Sequence, residues 1–68
     1  MSDAIYKTVD VVGSSTESIE DAVSGAIAKA SKTIDHIGWF EVGEIRGHVT
    51  DGKVAHYQVG MKIGFRLD

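Results

Sequence analysis

From Ile5 to Val12 apolar and polar residues alternate, with Ile5, Val9 and Val11 on one face against Tyr6, Thr8 and Asp10 on the other. A period of two in a β-branched run predicts a first strand. Gly13-Ser14-Ser15-Thr16 interrupts it. Ser14 with Glu17 fits a capping box, in which each side chain satisfies a free backbone N–H at a helix start. Beyond it the apolar positions Ile19, Ala22, Val23, Ala26, Ile27, Ala30, Ile34 and Ile37 recur with a helical period. They predict one long amphipathic helix, ended by Gly38 in a left-handed conformation. Such a helix would run about 33 Å. Its other face, Glu20, Asp21, Lys29, Ser31, Lys32 and Asp35, is built for water.

Asp51-Gly52 is a strong hairpin signal, because both turn positions favour positive φ. Its flanks, Trp39–Thr50 and Lys53–Leu67, predict two paired strands. In the last strand Ala55, Tyr57, Val59, Met61, Ile63, Phe65 and Leu67 share one face, and His56, Gln58, Gly60, Lys62, Gly64 and Arg66 the other. The order is βαββ, an α+β fold with a three-stranded antiparallel sheet wrapped on one long amphipathic helix. No linker or repeat divides residues 1–68, which read as a single domain.

A two-residue turn fixes the register. Trp39 then falls near Gly64, Glu41 near Lys62, Gly43 near Gly60, Ile45 near Gln58 and Gly47 near His56, all away from the helix. This sets a tryptophan and a glutamine on a floor of glycines, with Lys62 and Arg66 at one edge. Glycines admit a flat group close to the backbone. An indole offers a stacking surface, and a glutamine offers a donor and an acceptor to the edge of a heterocycle. A planar aromatic ligand fits that description. The same register turns Glu44, Arg46 and His48 towards the core, so either the strands outrun the helix or a bulge near Gly43 or Gly47 re-aims them. In either case the strands need a partner subunit. The plainer alternatives are that Trp39 fills a core or an interface, that Gln58 faces water, and that Arg46 pairs with Glu44 or with Glu41 of a neighbour.

At 68 residues the chain holds one small core. A domain of this size buries only about 60% of its unfolded surface. It has no cysteine, which excludes disulfides and thiolate metal sites, and its three histidines lack paired metal-ligand spacing. Oligomerisation is the remaining source of stability. The formal charge of −3 argues against a general electrostatic grip on nucleic acid. No apolar run approaches the roughly 18 residues that span a membrane, and Met1–Lys7 does not resemble a signal peptide. The expectation is a cytoplasmic protein with neither nucleic acid nor membrane as partner. Ser14-Ser15-Thr16 reads as a cap rather than a nucleophile site, and Gly38–Gly47 does not lead from a strand into a helix as a phosphate loop must. No enzyme is predicted.

Five motifs, in order along the whole chain, resemble the bacterial dodecin family. They are Val11-Val12-Gly13-Ser14-Ser15, Trp39-Phe40-Glu41-Val42, Ile45-Arg46-Gly47-His48, Tyr57-Gln58-Val59 and Ile63-Gly64-Phe65-Arg66-Leu67. The resemblance implies βαββ subunits in a hollow homododecamer that binds flavins (riboflavin, lumichrome, FMN or FAD) in pairs between subunits. It implies that Trp39 stacks on the isoalloxazine ring, Gln58 hydrogen-bonds its pyrimidine edge, and Arg46 helps hold the ribityl phosphate. Arg46 makes FMN the expected flavin, through charge-assisted hydrogen bonds. Some bacterial members also bind coenzyme A, for which Lys7, Lys29 and Arg66 are the candidates.

The implied role is flavin storage and buffering, with indole stacking quenching the excited flavin. Two rivals stay open: a structural or protein-interaction module, and a coenzyme A carrier with flavin incidental.

Overall fold

The computed structural model describes residues 3–68. Strand β1 (Ile5–Ser15) leads into helix α1 (Ile19–Ala30), then β2 (Ile37–Thr50) and β3 (Lys53–Leu67). The sheet is antiparallel in the order β1-β3-β2, so the C-terminal strand is central. Asp51 and Gly52 turn the β2–β3 hairpin with φ of 53° and 73°, and Thr50 pairs with Lys53 as expected.

The helix is shorter than its apolar stripe predicts. Twelve residues give about 18 Å rather than 33 Å. At its start, two Ser-x-x-acid sequences compete, Ser14 to Glu17 and Ser18 to Asp21. Strand pairing decides between them, because Gly13, Ser14 and Ser15 continue β1 against Val59, Gln58 and Tyr57. Ser18 is therefore the cap, its Oγ accepting from the Asp21 N–H at 2.9 Å. Ser15 locks the corner: its Oγ accepts from the N–H groups of Glu17 and Ser18 and donates to the Asp21 carboxylate at 2.7 Å.

At the far end Ser31 Oγ donates to the Ile27 carbonyl and Thr33 Oγ1 to the Ala30 carbonyl, drawing the last turn tight. The positive φ falls at His36 (63°), not at Gly38, which lies in β2. Ile37 also belongs to β2 and packs against the core from there.

α1 lies across β1 and β3 and reaches β2 only at the start of that strand, where Ile37 packs against the core. The core is Ala22, Val59, Met61 and Ile63, with Val9, Val11, Val23, Ala26, Ile27 and Ala30 packed around it. Gly13 admits the helix to the sheet. A Cβ there would overlap the Ala22 carbonyl oxygen and stand 3.1 Å from the Ala26 Cβ.

The subunit is elongated, 57 × 20 × 13 Å, with a radius of gyration of 14.3 Å. A compact chain of this length would have about 11 Å. Its accessible surface is 5124 Å², against about 4,200 Å² for a self-contained protein of this mass. Much of the excess is apolar: Phe40, Val42 and Ile45 sit on the helix side of β2 with no helix over them, 37–54% exposed. The need for a partner, argued above from chain length, is visible in this shape.

The β2–β3 register agrees with expectation from Trp39↔Gly64 to Val42↔Met61 and departs from it beyond. Between Val42 and Ile45 β2 carries an extra residue, so Ile45 pairs with Val59, Arg46 with Gln58, Gly47 with Tyr57 and His48 with His56. A second irregularity after His48 restores the register before the turn. The expected pairs Gly43–Gly60, Ile45–Gln58 and Gly47–His56 are replaced. This bulge resolves the conflict noted in the sequence: Arg46 and His48 leave the core side, and Ile45 takes their place.

Replacing Gly13 with alanine should cost about 2 kcal/mol or more, since the obstacle is backbone that can yield only by moving the helix. A urea titration would show this as a lower midpoint with an unchanged slope.

Candidate functional site

The face of the sheet opposite α1 carries no covering element among the described residues. Its rows follow from the register of β1, β3 and β2: Thr8, Gly64 and Trp39; Asp10, Lys62 and Glu41; then Val12 and Gly60 beside the bulge at Gly43-Glu44. Beyond these come Ser14, Gln58 and Arg46, then His56 with His48, and at the hairpin Lys53 with Thr50. A shallow cavity of about 440 Å³ opens over the middle rows, lined by Asp10, Val12, Glu41, Gly43, Gly60 and Lys62 among others.

Trp39 is laid on Gly64. A Cβ added at that glycine would fall inside the indole, against Cε2 and Cζ2 and 2.6 Å from Cδ2. The ring is thus supported on one side while the residue stays 43% exposed. A supported, half-exposed indole offers an apolar surface without having to be ordered when a ligand arrives.

Arg46 and Gln58, expected to serve one ligand, are cross-strand partners on this open face. Arg46 Nη2 donates to Glu44 Oε2 at 2.6 Å, which is the ion pair the plainer reading anticipated. Both side chains are well exposed, and exposed pairs of this kind hold weakly.

Trp39 and Gln58 do not meet within one subunit. Trp39 stands over Gly64, six residues from Gln58 along β3, or about 20 Å. That is roughly twice the length of a three-ring heterocycle. The single floor read from the sequence is two separate stations on one face, Trp39 over Gly64 and Gln58 beside Arg46.

The basic candidates Lys7, Lys29 and Arg66 do not share a face. Lys7 pairs with Phe65 on the helix side, Lys29 is in the last turn of α1, and Arg66 pairs with Tyr6 on the open side. Arg66 is also engaged: Nε donates to Asp68 Oδ1 at 3.1 Å, Nη2 lies 3.3 Å from His36 Nδ1, and His36 closes the triangle on Asp68.

The histidines, which lack metal-ligand spacing along the chain, include one pair in space. His48 and His56 stack with ring centroids 4.4 Å apart and planes 22° apart. Only the bulge puts them opposite each other, so an unbulged register hides the pair. Among the described residues no group of three His, Cys, Asp or Glu could hold a metal ion, and no helix is long and apolar enough to cross a membrane.

The profile of the Dodecin family matches residues 5–68. Over 64 residues the chain is 48% identical to the dodecin of Thermus thermophilus, covering 94% of this chain and 93% of that one. The structure of dodecin from Streptomyces coelicolor superposes with a TM-score of 0.94 at 47% identity, over 100% of this chain and 97% of that one. A more distant likeness is the calcium dodecin of Mycobacterium tuberculosis, a calcium-chelating antigen with its own calcium-binding site. It has a TM-score of 0.81 at 29% identity, covering 94% and 91% of the two chains.

The contact of Trp39 with Gly64 is open to direct test. Gly64→Ala should lift the indole off the strand, because the added methyl occupies the ring's own volume. Tryptophan emission is expected to shift to the red, whereas Gly38→Ala, which meets nothing within 4 Å, should leave it unchanged.

Proposed function

This chain belongs to the dodecin family, and from that premise and the open face of its sheet we propose that it stores and buffers flavin at the subunit interfaces of a homododecamer. The observation that carries the reading is Trp39, held flat on Gly64 with its other face free. An isoalloxazine ring stacks on that face, removing apolar surface of both rings from water. Gln58 supplies orientation, since its amide matches the alternating donors and acceptors of the pyrimidine edge.

The 20 Å between the stations of Trp39 and Gln58 favours a site shared by two subunits. Trp39 of one copy supplies the platform, and Gln58 and Arg46 of another supply the edge contacts. A twofold contact builds such a site twice, which accounts for flavins in pairs. The uncovered apolar residues of β2 provide surface for the further contacts of a closed shell.

FMN is the preferred flavin in this proposal. Its phosphate is a stronger acceptor for the Arg46 guanidinium than a hydroxyl is, and the exposed Glu44 partner yields to it. The indole beside the excited ring donates an electron and quenches it, which limits photochemical damage. The role is binding rather than catalysis, in the cytoplasm.

Titrating the purified protein with FMN should quench flavin fluorescence and saturate near one flavin per subunit. Trp39→Ala should abolish both the affinity and the quenching, and Arg46→Ala should weaken FMN about tenfold while sparing riboflavin. FMN at 100 times its dissociation constant should stabilise each site by about 2.7 kcal/mol. Absence of quenching in the wild type would leave a structural assembly module as the better reading.

A further inference from the structure

Three of the fixed positive charges of the open face have a carboxylate at hand; Lys53, in register with Thr50, has none within salt-bridge distance among the described residues. Arg46 is held by Glu44 and Arg66 by Asp68, and Lys62 stands in register between Asp10 and Glu41. The histidine row, one step in from the Thr50–Lys53 pair at the hairpin, differs. His48 and His56 face each other across the strands, rings stacked at 4.4 Å, and neither has a carboxylate within salt-bridge distance among the described residues.

The surroundings of the pair are few. From β2 it is faced by Arg46 with its partner Glu44, from β3 by Gln58, and on the hairpin side by Lys53 in register with Thr50, with Asp51 in the turn beyond. From β1 the nearest contribution is Ser14, in register with Gln58, for on this face β1 pairs no further. The helix lies on the other side of the sheet. The row of histidines is two residues beyond the row of Arg46 and Gln58, about 7 Å away.

Two imidazolium rings at that separation repel each other. A doubly charged anion beside both removes the repulsion and accepts a hydrogen bond from each ring. We infer that His48 and His56 form a proton-linked subsite for a phosphate monoester, the terminal group of the flavin held at Gln58 and Arg46. The inference rests on the flavin reading above and deepens it. Arg46 supplies a charge independent of pH, already shared with Glu44, and the histidine pair supplies charge that arrives with the phosphate.

The test compares FMN with riboflavin, which shares the ring and lacks the phosphate. Dissociation constants of both come from fluorescence quenching between pH 5.5 and 8.5, in the wild type and in His48→Asn/His56→Asn. The phosphate takes up its own proton near pH 6, and the double variant supplies that baseline. As pH falls from 8 to 6, the preference for FMN over riboflavin should rise about tenfold in the wild type relative to the variant. Equal preferences in the two proteins at every pH, with riboflavin still bound, would overturn the subsite and leave the flavin site standing. Failure of both flavins to bind the wild type would overturn both readings.

A measurement on the wild type alone guards against a variant that does not fold. At pH 7.5 the free phosphate is almost fully ionised, so protons taken up on binding come to the protein. Calorimetry in two buffers of different ionisation heat should show proton uptake with FMN and none with riboflavin. No uptake with FMN would overturn the proposal.

Discussion

A helix about 18 Å long lies on strands that run about 50 Å. That mismatch governs the molecule. The helix can bury one stretch of β1 and β3, so the core closes around Ala22, Val59, Met61 and Ile63 and extends no further. β2 keeps Phe40, Val42 and Ile45 uncovered on one side, and the whole opposite face of the sheet is left without a layer. A chain with this little interior and this much apolar surface gains stability from other copies of itself. Incompleteness of the subunit and the capacity to build sites between subunits thus have one origin.

Within the sheet, one extra residue decides which side chains reach the open face. Without the bulge after Val42, the alternation that aims Trp39 outward would turn Arg46 and His48 towards the helix. A guanidinium there would put a charge in the middle of the uncovered apolar stretch of β2 that Phe40, Val42 and Ile45 form. With the bulge, Arg46 lines up with Gln58 and Ile45 joins the apolar side. The second irregularity, after His48, returns the strand to the register that the Asp51-Gly52 turn demands. The insertion is confined between two fixed points, Trp39 on Gly64 and the turn. It therefore re-aims one short segment without disturbing either end.

Where local chemistry dominates, the sequence was legible. Asp51-Gly52 needed only its own φ preferences, and the central strand β3 kept the alternation of its residues because it is paired on both sides. The errors arose where two local signals compete and a distant contact chooses. Ser14 and Ser18 both satisfy the capping rule, and pairing of Ser14 with Gln58 removes the first. Ile34 and Ile37 continue a helical period, yet Ile37 reaches the core from β2. Of the candidate site, the residues that share the open face could be listed from β3 alone. Their spacing was implicit in the expected pairing of Trp39 with Gly64, which already sets Gln58 six residues along β3, too far away to serve the same ring within one subunit. The stacked histidines stayed hidden because a bulge near Gly43 or Gly47 is one of two ways out of the register conflict, and only its pairing carried on to His48 sets that residue against His56.

A site divided between copies ties ligand and assembly together. If Trp39 of one subunit and Gln58 of another grip the same ring, the ring is part of the interface, and each bound molecule stabilises the contact it occupies. Linkage is reciprocal, so on this reading the factor by which flavin tightens the assembly equals the factor by which assembly tightens flavin binding. In a closed symmetric shell that coupling is shared among many equivalent contacts. The empty protein must then hold its interfaces by apolar surface alone, and the exposed residues of β2 are suited to that task. A store that must fill and empty without falling apart needs such a division, with one set of contacts kept for the shell and another open to the ligand. On the proposed reading the two sides of this sheet would supply it, the helix side of β2 for the shell and the open face for the ligand.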